Sequence, residues 1–250
     1  MNTKKLFISG ICCLVILGGV NYFLNQYSVV PTCNAYDTTE VSGAAQFEGK
    51  HDIPNSPYFA HPDIFNMQSN DHLLVLSHYQ TQQQSTGYSC GPVAANTVVS
   101  HFLGKPLHKE LEICQMMSTS TTNGTTTKGM ANYFEKIGWE VHSSVKDKTP
   151  DNYEDFLHFV TTNLANNTPI MVENIDWGGH WRVIIGYDTM GTAHTGDDVL
   201  LMADPFDTSD HLQDGYNIVP AERFFYMWFD SHLFNKRDQL RQWLTARPKN

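Results

Sequence analysis

Basic residues and long apolar runs are both scarce in this 250-residue sequence, and each scarcity argues against a class of protein. Lys and Arg total 16 against 26 Asp and Glu, which gives a formal net charge of -10. Most of the surface would therefore repel a phosphate backbone, and nucleic acid is not expected as a partner. The uncharged run from Leu6 to Val20 has 15 residues, fewer than the roughly 20 that a membrane-spanning helix needs.

Metal-binding spacings are also missing from the sequence. Asp204, Asp207 and Asp210 do not follow the Asp-x-Asp-x-Asp-Gly order of a calcium loop, so Asp207 and Asp210 are interpreted as turn residues. His194 and His211 lie in polar loops without a paired Cys or His at zinc-ligand spacing. We therefore expect no metal and no other cofactor.

The first 35 residues have the layout of an export signal. Lys4 and Lys5 precede the apolar run, and the small-residue site Cys33-Asn34-Ala35 follows a polar stretch. The sequence leaves open whether this segment is cleaved after the site or is retained as a membrane anchor. In either case we predict that the protein is secreted, periplasmic or membrane-anchored with its domain outside the cytoplasm, and that only an uncleaved N-terminal segment would contact a membrane.

The rest of the chain suits one globular domain, since 41% of its residues are apolar and 17% are charged. We divide it into a loop-rich leading segment at 36–75, a folded domain at 76–235 and a C-terminal tail at 236–250 with a basic cluster. Apolar periodicity predicts helices first and strands afterwards, which indicates the α+β class. Four helices are predicted: the first ends at Gly104, the second spans about 107–117, the third runs from Thr127 to before Gly138 and the fourth spans 153–163. The predicted strands are 169–175, 180–188 and 198–205.

One cysteine stands where a nucleophile would be effective. Pro92 suits the first turn of a helix, so Cys90 lies at the helix N-terminus, whose positive end favours a thiolate over a thiol. Gly91 leaves room beside the sulfur. Two alternatives remain: cysteine is often a buried, inert residue, and an oxidising compartment would allow a disulfide between Cys90 and Cys114.

A base and an orienting carboxylate are available later in the chain. His180 follows Gly178 and Gly179 at the start of an apolar strand, and glycines there would leave the imidazole accessible. Asp204 is the first charge after the next apolar strand, and Pro205 stops that strand. If the two strands pair as a meander, the Asp204 carboxylate reaches His180, which is the arrangement that nucleophilic catalysis by a cysteine needs.

Three segments, "YSCGPVAANTVVSHFLG", "GGHWRVIIGYD" and "MADPFD", resemble the motif blocks of papain-fold cysteine peptidases of the bacteriocin-leader-processing type. The resemblance implies a papain-like α+β fold in which N-terminal helices pack on a C-terminal antiparallel sheet. It implies hydrolysis of a peptide or protein substrate, with Cys90 as nucleophile, His180 as general base and acid and Asp204 as the orienting residue. It also implies that Gln84, six residues before the cysteine, helps to bind the oxyanion.

The sequence departs from the leader-processing members in one respect and leaves two alternatives open. Those members are fused to a transporter, whereas this chain has no Gly-rich Lys-Ser/Thr loop, so we expect a stand-alone relative without an assumed double-glycine specificity. Phytochelatin synthases have a similar Cys-Gly block, which makes dipeptidyl transfer an alternative, although Trp181 and Arg182 after the histidine differ from their pattern. The other alternative is a non-catalytic binding or structural module with Cys90 in a disulfide.

Overall fold

The computed structural model of the protein describes residues 42–47, 53, 56–58, 60–231, 234–236 and 239–249. The predicted export signal at 1–35 lies outside these residues. Within the described ranges, no helix has the combination of length and apolar character that a membrane crossing requires.

All four of these predicted helices are present, and a fifth, short helix lies between the last two strands of the chain. The first ends at Gly104, which adopts the left-handed conformation (φ 71°) that glycine tolerates at a helix C-cap. The second begins a little later than predicted, at Glu110, and the fourth extends to Ala165. The helices are α1 (Cys90–Leu103), α2 (Glu110–Met117), α3 (Thr127–Lys136), α4 (Tyr153–Ala165) and α5 (Ala221–Met227).

The strands form one antiparallel sheet. They are β1 (Leu73–Val75), β2 (Trp139–Ser143), β3 (Ile170–Asn174), β4 (His180–Asp188), β5 (Val199–Ala203), β6 (Tyr216–Pro220) and β7 (Gln242–Pro248). Their order across the sheet is β2-β7-β3-β4-β5-β6, and β1 pairs with the C-terminal half of β4. The three predicted strands correspond to β3, β4 and β5, and these pair as the predicted meander.

The predicted C-terminal tail is the main correction to the sequence-based organisation. Residues 236–250 are not a separate tail, because β7 lies inside the sheet between β2 and β3. Trp243 and Leu244 of this strand are buried. The basic residues here are part of the fold: Arg247, within β7, pairs with Glu140 on the neighbouring strand, and Arg241, just before β7, lies 4.4 Å over the Phe225 ring.

Helix α1 is the centre of the molecule. Every residue from Cys90 to Ser100 is buried, whereas the sequence predicted a helix with one buried face. The helix packs against β4 on one side and α2 on another, with β7 and α3 also in contact. Helices packed on a C-terminal antiparallel sheet confirm the α+β class, and the central helix begins at the residue singled out for its chemistry.

Candidate active site

Cys90 is the first residue of α1, and its thiol lies at the positive end of the helix. As in any α-helix, the first backbone N–H groups have no partner inside the helix. Gly91 is required by packing as well as access, because a Cβ there would lie 2.8 Å from Thr125 Cβ and 3.3 Å from Trp181 Cδ1. The prediction that the sulfur is accessible is wrong, since Cys90 is only 7% exposed.

His180 and Asp204 are brought together by the pairing of β4 with β5. His180 is the first residue of β4, and Gly179 before it has a φ of 119°, a conformation that L side chains rarely adopt. Val183 pairs with Ala203, so the end of β5 lies beside the start of β4. His180 Nε2 is 2.6 Å from Asp204 Oδ1. Both side chains are buried, so the predicted accessible imidazole is also wrong.

The imidazole of His180 lies between the Asp204 carboxylate and the Cys90 thiol. Burial opposes the charged imidazolium, but the Asp204 carboxylate, with a smaller contribution from a hydrogen bond with Cys90, raises the pKa of His180 to about 9. Because Nε2 contacts Asp204, the ring nitrogen left for Cys90 is Nδ1. The arrangement can keep an imidazolium beside the sulfur at neutral pH.

Asp204 is held as a carboxylate by three neighbours. Its Oδ1 accepts a hydrogen bond from the Phe206 N–H at 2.8 Å and contacts His180, and its Oδ2 lies 3.9 Å from Arg182 Nη1. Burial would raise the pKa of Asp204, but His180 and Arg182 outweigh burial and lower it below its ordinary value. Asp204 is therefore ionised at neutral pH, where His180 is protonated.

Gln84, the expected oxyanion residue, lies in the buried loop before α1. Its Nε2 donates to the Thr86 carbonyl at 2.8 Å, which leaves the second amide hydrogen for another acceptor. Its backbone N–H donates to the Pro205 carbonyl at 2.9 Å, next to Asp204. The loop that carries Gln84 therefore runs directly beside the turn that carries Asp204.

Three ionisable residues around the site, Arg182, Glu173 and Glu110, were not predicted. Arg182 contacts Asp176 (2.6 Å) and Asn174 (3.0 Å) besides Asp204. Burial and the Asp230 carboxyl raise the pKa of Glu173 on β3 to about 10, so this group is neutral at pH 7.

Glu110 is the third, and it holds the loop before α1. It accepts hydrogen bonds from the Ser85 N–H (3.0 Å) and from the Ser89 hydroxyl (2.5 Å). A sequence signal existed for Arg182 and Glu173, because each is a charged residue inside a mostly apolar strand. Glu110 had no such signal.

The disulfide alternative does not agree with the structure. Cys90 and Cys114 are both reduced thiols. Asp207 is buried, with its Oδ2 accepting a hydrogen bond from the Gly215 N–H at 2.9 Å, as suits a turn residue. Among the described residues, no group of three His, Cys, Asp or Glu side chains is placed to hold a metal ion.

Comparison with known sequences gives one match that spans most of the chain. Residues 76–228 match the model of the Peptidase_C39 like family. This range contains the three motif segments and ends shortly after α5. No curated protein matches the chain.

Several solved structures are similar to the chain at low identity. The peptidase domain of Streptococcus ComA, a bi-functional ABC transporter involved in a quorum-sensing pathway, is 19% identical over 69% of this chain and 100% of its own, with a TM-score of 0.46. The peptidase domain of Streptococcus mutans ComA is 17% identical over 68% and 100%, with a TM-score of 0.39.

A third similar structure is a double-glycine-motif protease from an AMS/PCAT transporter, solved in complex with the leader peptide. It is 14% identical over 67% of this chain and 89% of its own, with a TM-score of 0.42. Because all three TM-scores are below 0.5, the assignment of the chain depends on the match to the family model.

Proposed function

Since this chain belongs to the peptidase C39-like family, it is a cysteine peptidase, and we propose that it cleaves peptide amide bonds through a triad of Cys90, His180 and Asp204. The observation that carries this proposal is the 2.6 Å contact between His180 Nε2 and Asp204 Oδ1, made by an imidazole that is also hydrogen-bonded to Cys90. The chemistry needs a nucleophile, a base and an orienting group in that order, and these two contacts join Cys90, His180 and Asp204 in that order.

In the proposed mechanism, the Cys90 thiolate attacks the scissile carbonyl carbon and the carbonyl oxygen becomes an oxyanion. His180 gives its proton to the leaving amine as the C–N bond breaks, which leaves a thioester on Cys90. The neutral imidazole then takes a proton from water, whose oxygen attacks the thioester and releases the acid. Asp204 stabilises the imidazolium through Nε2 at each stage where it forms.

The oxyanion is proposed to receive hydrogen bonds from the Cys90 backbone N–H and from Gln84. The N–H at the start of α1 has no partner within the helix, and the Gln84 amide has one hydrogen left after its bond to Thr86. Losing one such donor typically costs about 100- to 1,000-fold in rate. Both donors lie in buried surroundings, where such hydrogen bonds are stronger than in water.

The proposed substrate is a peptide, and the match of residues 76–228 to a peptidase family supports this proposal. The Cys90–His180 pair is nearly inaccessible here. We therefore propose that substrate binding displaces the residues that cover it. The family match favours this peptidase over the alternative of dipeptidyl transfer.

We also propose that the enzyme is exported and works outside the cytoplasm. The support is the sequence of residues 1–35, with two lysines before an apolar run and a small-residue site after it. Fractionation of cells expressing the full chain, with mass spectrometry of the N-terminus, tests this proposal. Recovery of the intact chain in the cytoplasm alone would contradict it.

The triad is tested by comparing two cysteine substitutions. Cys90→Ala should abolish cleavage of a peptide library while leaving the melting temperature close to that of the wild type. Cys114→Ala is the matched control, because Cys114 is equally buried (7% exposed) and is also a reduced thiol. Wild-type activity in Cys90→Ala would refute the triad, and so would equal loss of activity in both variants.

A further inference from the structure

Three consecutive glutamines precede the nucleophile, and all three are buried, yet each contacts a different part of the molecule. Gln82 accepts a hydrogen bond from Asn96 of α1 at 2.9 Å. Gln84 donates to the Thr86 carbonyl within its own loop. The side chain of Gln83 points to the Asp204 turn instead. Only Gln84 has a role in the mechanism proposed above, so the contacts of Gln83 need an explanation of their own.

Gln83 bridges the two ends of the turn from Asp204 to Asp207. Its Nε2 donates to the Asp204 carbonyl at 2.8 Å, and its Oε1 accepts from the Asp207 N–H at 3.1 Å. Both bonds are buried, and a buried main-chain group that loses its partner costs about 1–3 kcal/mol. One amide side chain therefore satisfies a carbonyl and an N–H that would otherwise be unpaired in the interior.

The rotamer of Gln83 is itself restrained. Gln213 Nε2 donates to Gln83 Oε1 at 3.1 Å. On the other side, a Cβ at Gly215 would lie 3.1 Å from Gln83 Nε2, so the 213–215 loop packs closely against the amide. The Gln83 amide thus has a defined orientation, in which Nε2 donates to the Asp204 carbonyl and Oε1 accepts from the Asp207 N–H.

The direction of the Asp204 carboxylate depends on this turn. Asp204 Oδ1 accepts from the Phe206 N–H inside the turn and contacts His180 Nε2 at 2.6 Å. If the main chain of the turn shifts, the carboxylate moves with it. A misplacement of about 1 Å in a catalytic group can cost on the order of 100-fold in rate.

We propose that Gln83 is a positioning residue for Asp204, holding the Asp204–Asp207 turn so that the carboxylate stays on the imidazole of His180. Gln83 does not contact the substrate or the sulfur in this role. The inference rests on the proposed triad, and it adds a residue that acts through main-chain atoms of the orienting group.

The test compares Gln83→Ala with Gln82→Ala in the full chain. The two glutamines are almost equally buried (4% and 5% exposed), and each makes side-chain hydrogen bonds. Iodoacetamide alkylation of Cys90, measured by mass spectrometry across a range of pH, reports the ionisation of the Cys90–His180 pair and needs no known substrate. Peptide cleavage, once a substrate is found, separates kcat from KM.

We expect Gln83→Ala to lower kcat by about 10-fold or more with KM unchanged, and to move the alkaline transition of Cys90 alkylation downward by at least one pH unit. Gln82→Ala should keep the wild-type profile even where its melting temperature falls. Gln83→Met is the second variant, because it keeps the length of the side chain without adding charge and loses both the donor to Asp204 and the acceptor for Asp207. It should behave like Gln83→Ala, and its profile decides the matter if Gln83→Ala does not fold.

An unchanged profile in the folded Gln83 variants, or an equal shift in Gln82→Ala, would overturn the inference. Asp204→Asn distinguishes that failure from failure of the triad. If Asp204→Asn shifts the profile and the Gln83 variants do not, only the positioning role is lost. If Asp204→Asn itself leaves the profile unchanged, both the triad and the positioning role are refuted.

Discussion

At the scale of single residues, the site depends on a charge that burial alone would not permit. A buried imidazole is normally neutral at pH 7, because leaving water disfavours its charged form. In this protein the Asp204 carboxylate, 2.6 Å away, reverses that preference and raises the pKa of His180 to about 9. Arg182 in turn helps to keep Asp204 ionised. The protonation of His180 is therefore decided by its partners and not by its exposure.

The Asp204→Asn variant tests whether this carboxylate sets the protonation of His180. The amide keeps the shape of the side chain but removes the negative charge, so only the smaller contribution of Cys90 still opposes burial and the pKa of His180 should fall below its ordinary 6.5. We expect kcat/KM at pH 7 to fall by about 100-fold or more. The alkaline limb of the pH–rate profile, near pH 9 in the wild type, should move to below pH 7.

The control for Asp204→Asn is Asp176→Asn. Asp176 also contacts Arg182, at 2.6 Å, but it is half exposed and does not contact His180. Its substitution should leave the alkaline limb near pH 9. A wild-type profile in Asp204→Asn would show that the carboxylate does not set the protonation of His180.

At the scale of elements, the site is assembled where the ends of several elements meet. Cys90 begins α1, His180 begins β4 and Asp204 follows β5. The loop before α1 is joined to α2 through Glu110 and to the turn after β5 through Gln83. Because side chains at the ends of elements take their positions from the packing of those elements, the geometry of the site depends on the whole sheet.

Strand β7 gives a prediction at this scale. A chain that ends after Arg241 lacks the strand between β2 and β3, together with the buried Trp243 and Leu244. Removing a buried Trp or Leu side chain alone costs about 2–5 kcal/mol, and typical domains are stable by only about 5–15 kcal/mol. We expect no cooperative unfolding transition by circular dichroism. A chain that ends after Pro248 should unfold like the full protein; similar transitions in both would contradict a structural role for β7.

At the scale of the whole molecule, buried carboxyl groups couple folding to protons. Burial raises the pKa of Glu173 and of Asp207 to about 10 each, with Asp230 and Asp210 adding to the effect. In the unfolded chain these groups ionise near their ordinary values of 4.5 and 3.8. Folding therefore requires proton uptake above about pH 4.5, and the free energy of unfolding falls as pH rises toward 10.

The Glu173→Gln variant measures this coupling. Glutamine needs no proton to be neutral and can donate to Asp230. The variant therefore avoids the free-energy cost of proton uptake on folding, which grows with pH. We expect the variant to be more stable than the wild type by about 1–3 kcal/mol at pH 7. The difference should increase from pH 7 to pH 9 and vanish near pH 4.5, as measured by urea unfolding. The exposed Glu154→Gln is the control, and a pH-independent difference for Glu173→Gln would contradict the coupling.

Part of this molecule was predictable from local sequence patterns. The capping Gly104 and the apolar spacing before it located the end of α1, and the apolar runs located β3, β4 and β5. Strands β1, β2, β6 and β7 were missed, because they are short, partly polar or close to charged residues. The accessibility of Cys90 and His180 was predicted wrongly, since exposure depends on what packs over a residue and not on the glycines beside it.

The sequence by itself determined which residues could do the chemistry: a cysteine at a helix start, a histidine at a strand start and an aspartate at a strand end. Such signals are local, because capping, periodicity and strand termination depend on near neighbours in the chain. Only the tertiary structure decided that Gln83 contacts the Asp204 turn, that Glu110 holds the loop before Cys90 and that residues 242–248 complete the sheet. These contacts join residues 25 to 121 positions apart, and only the packing of the core brings such distant segments together.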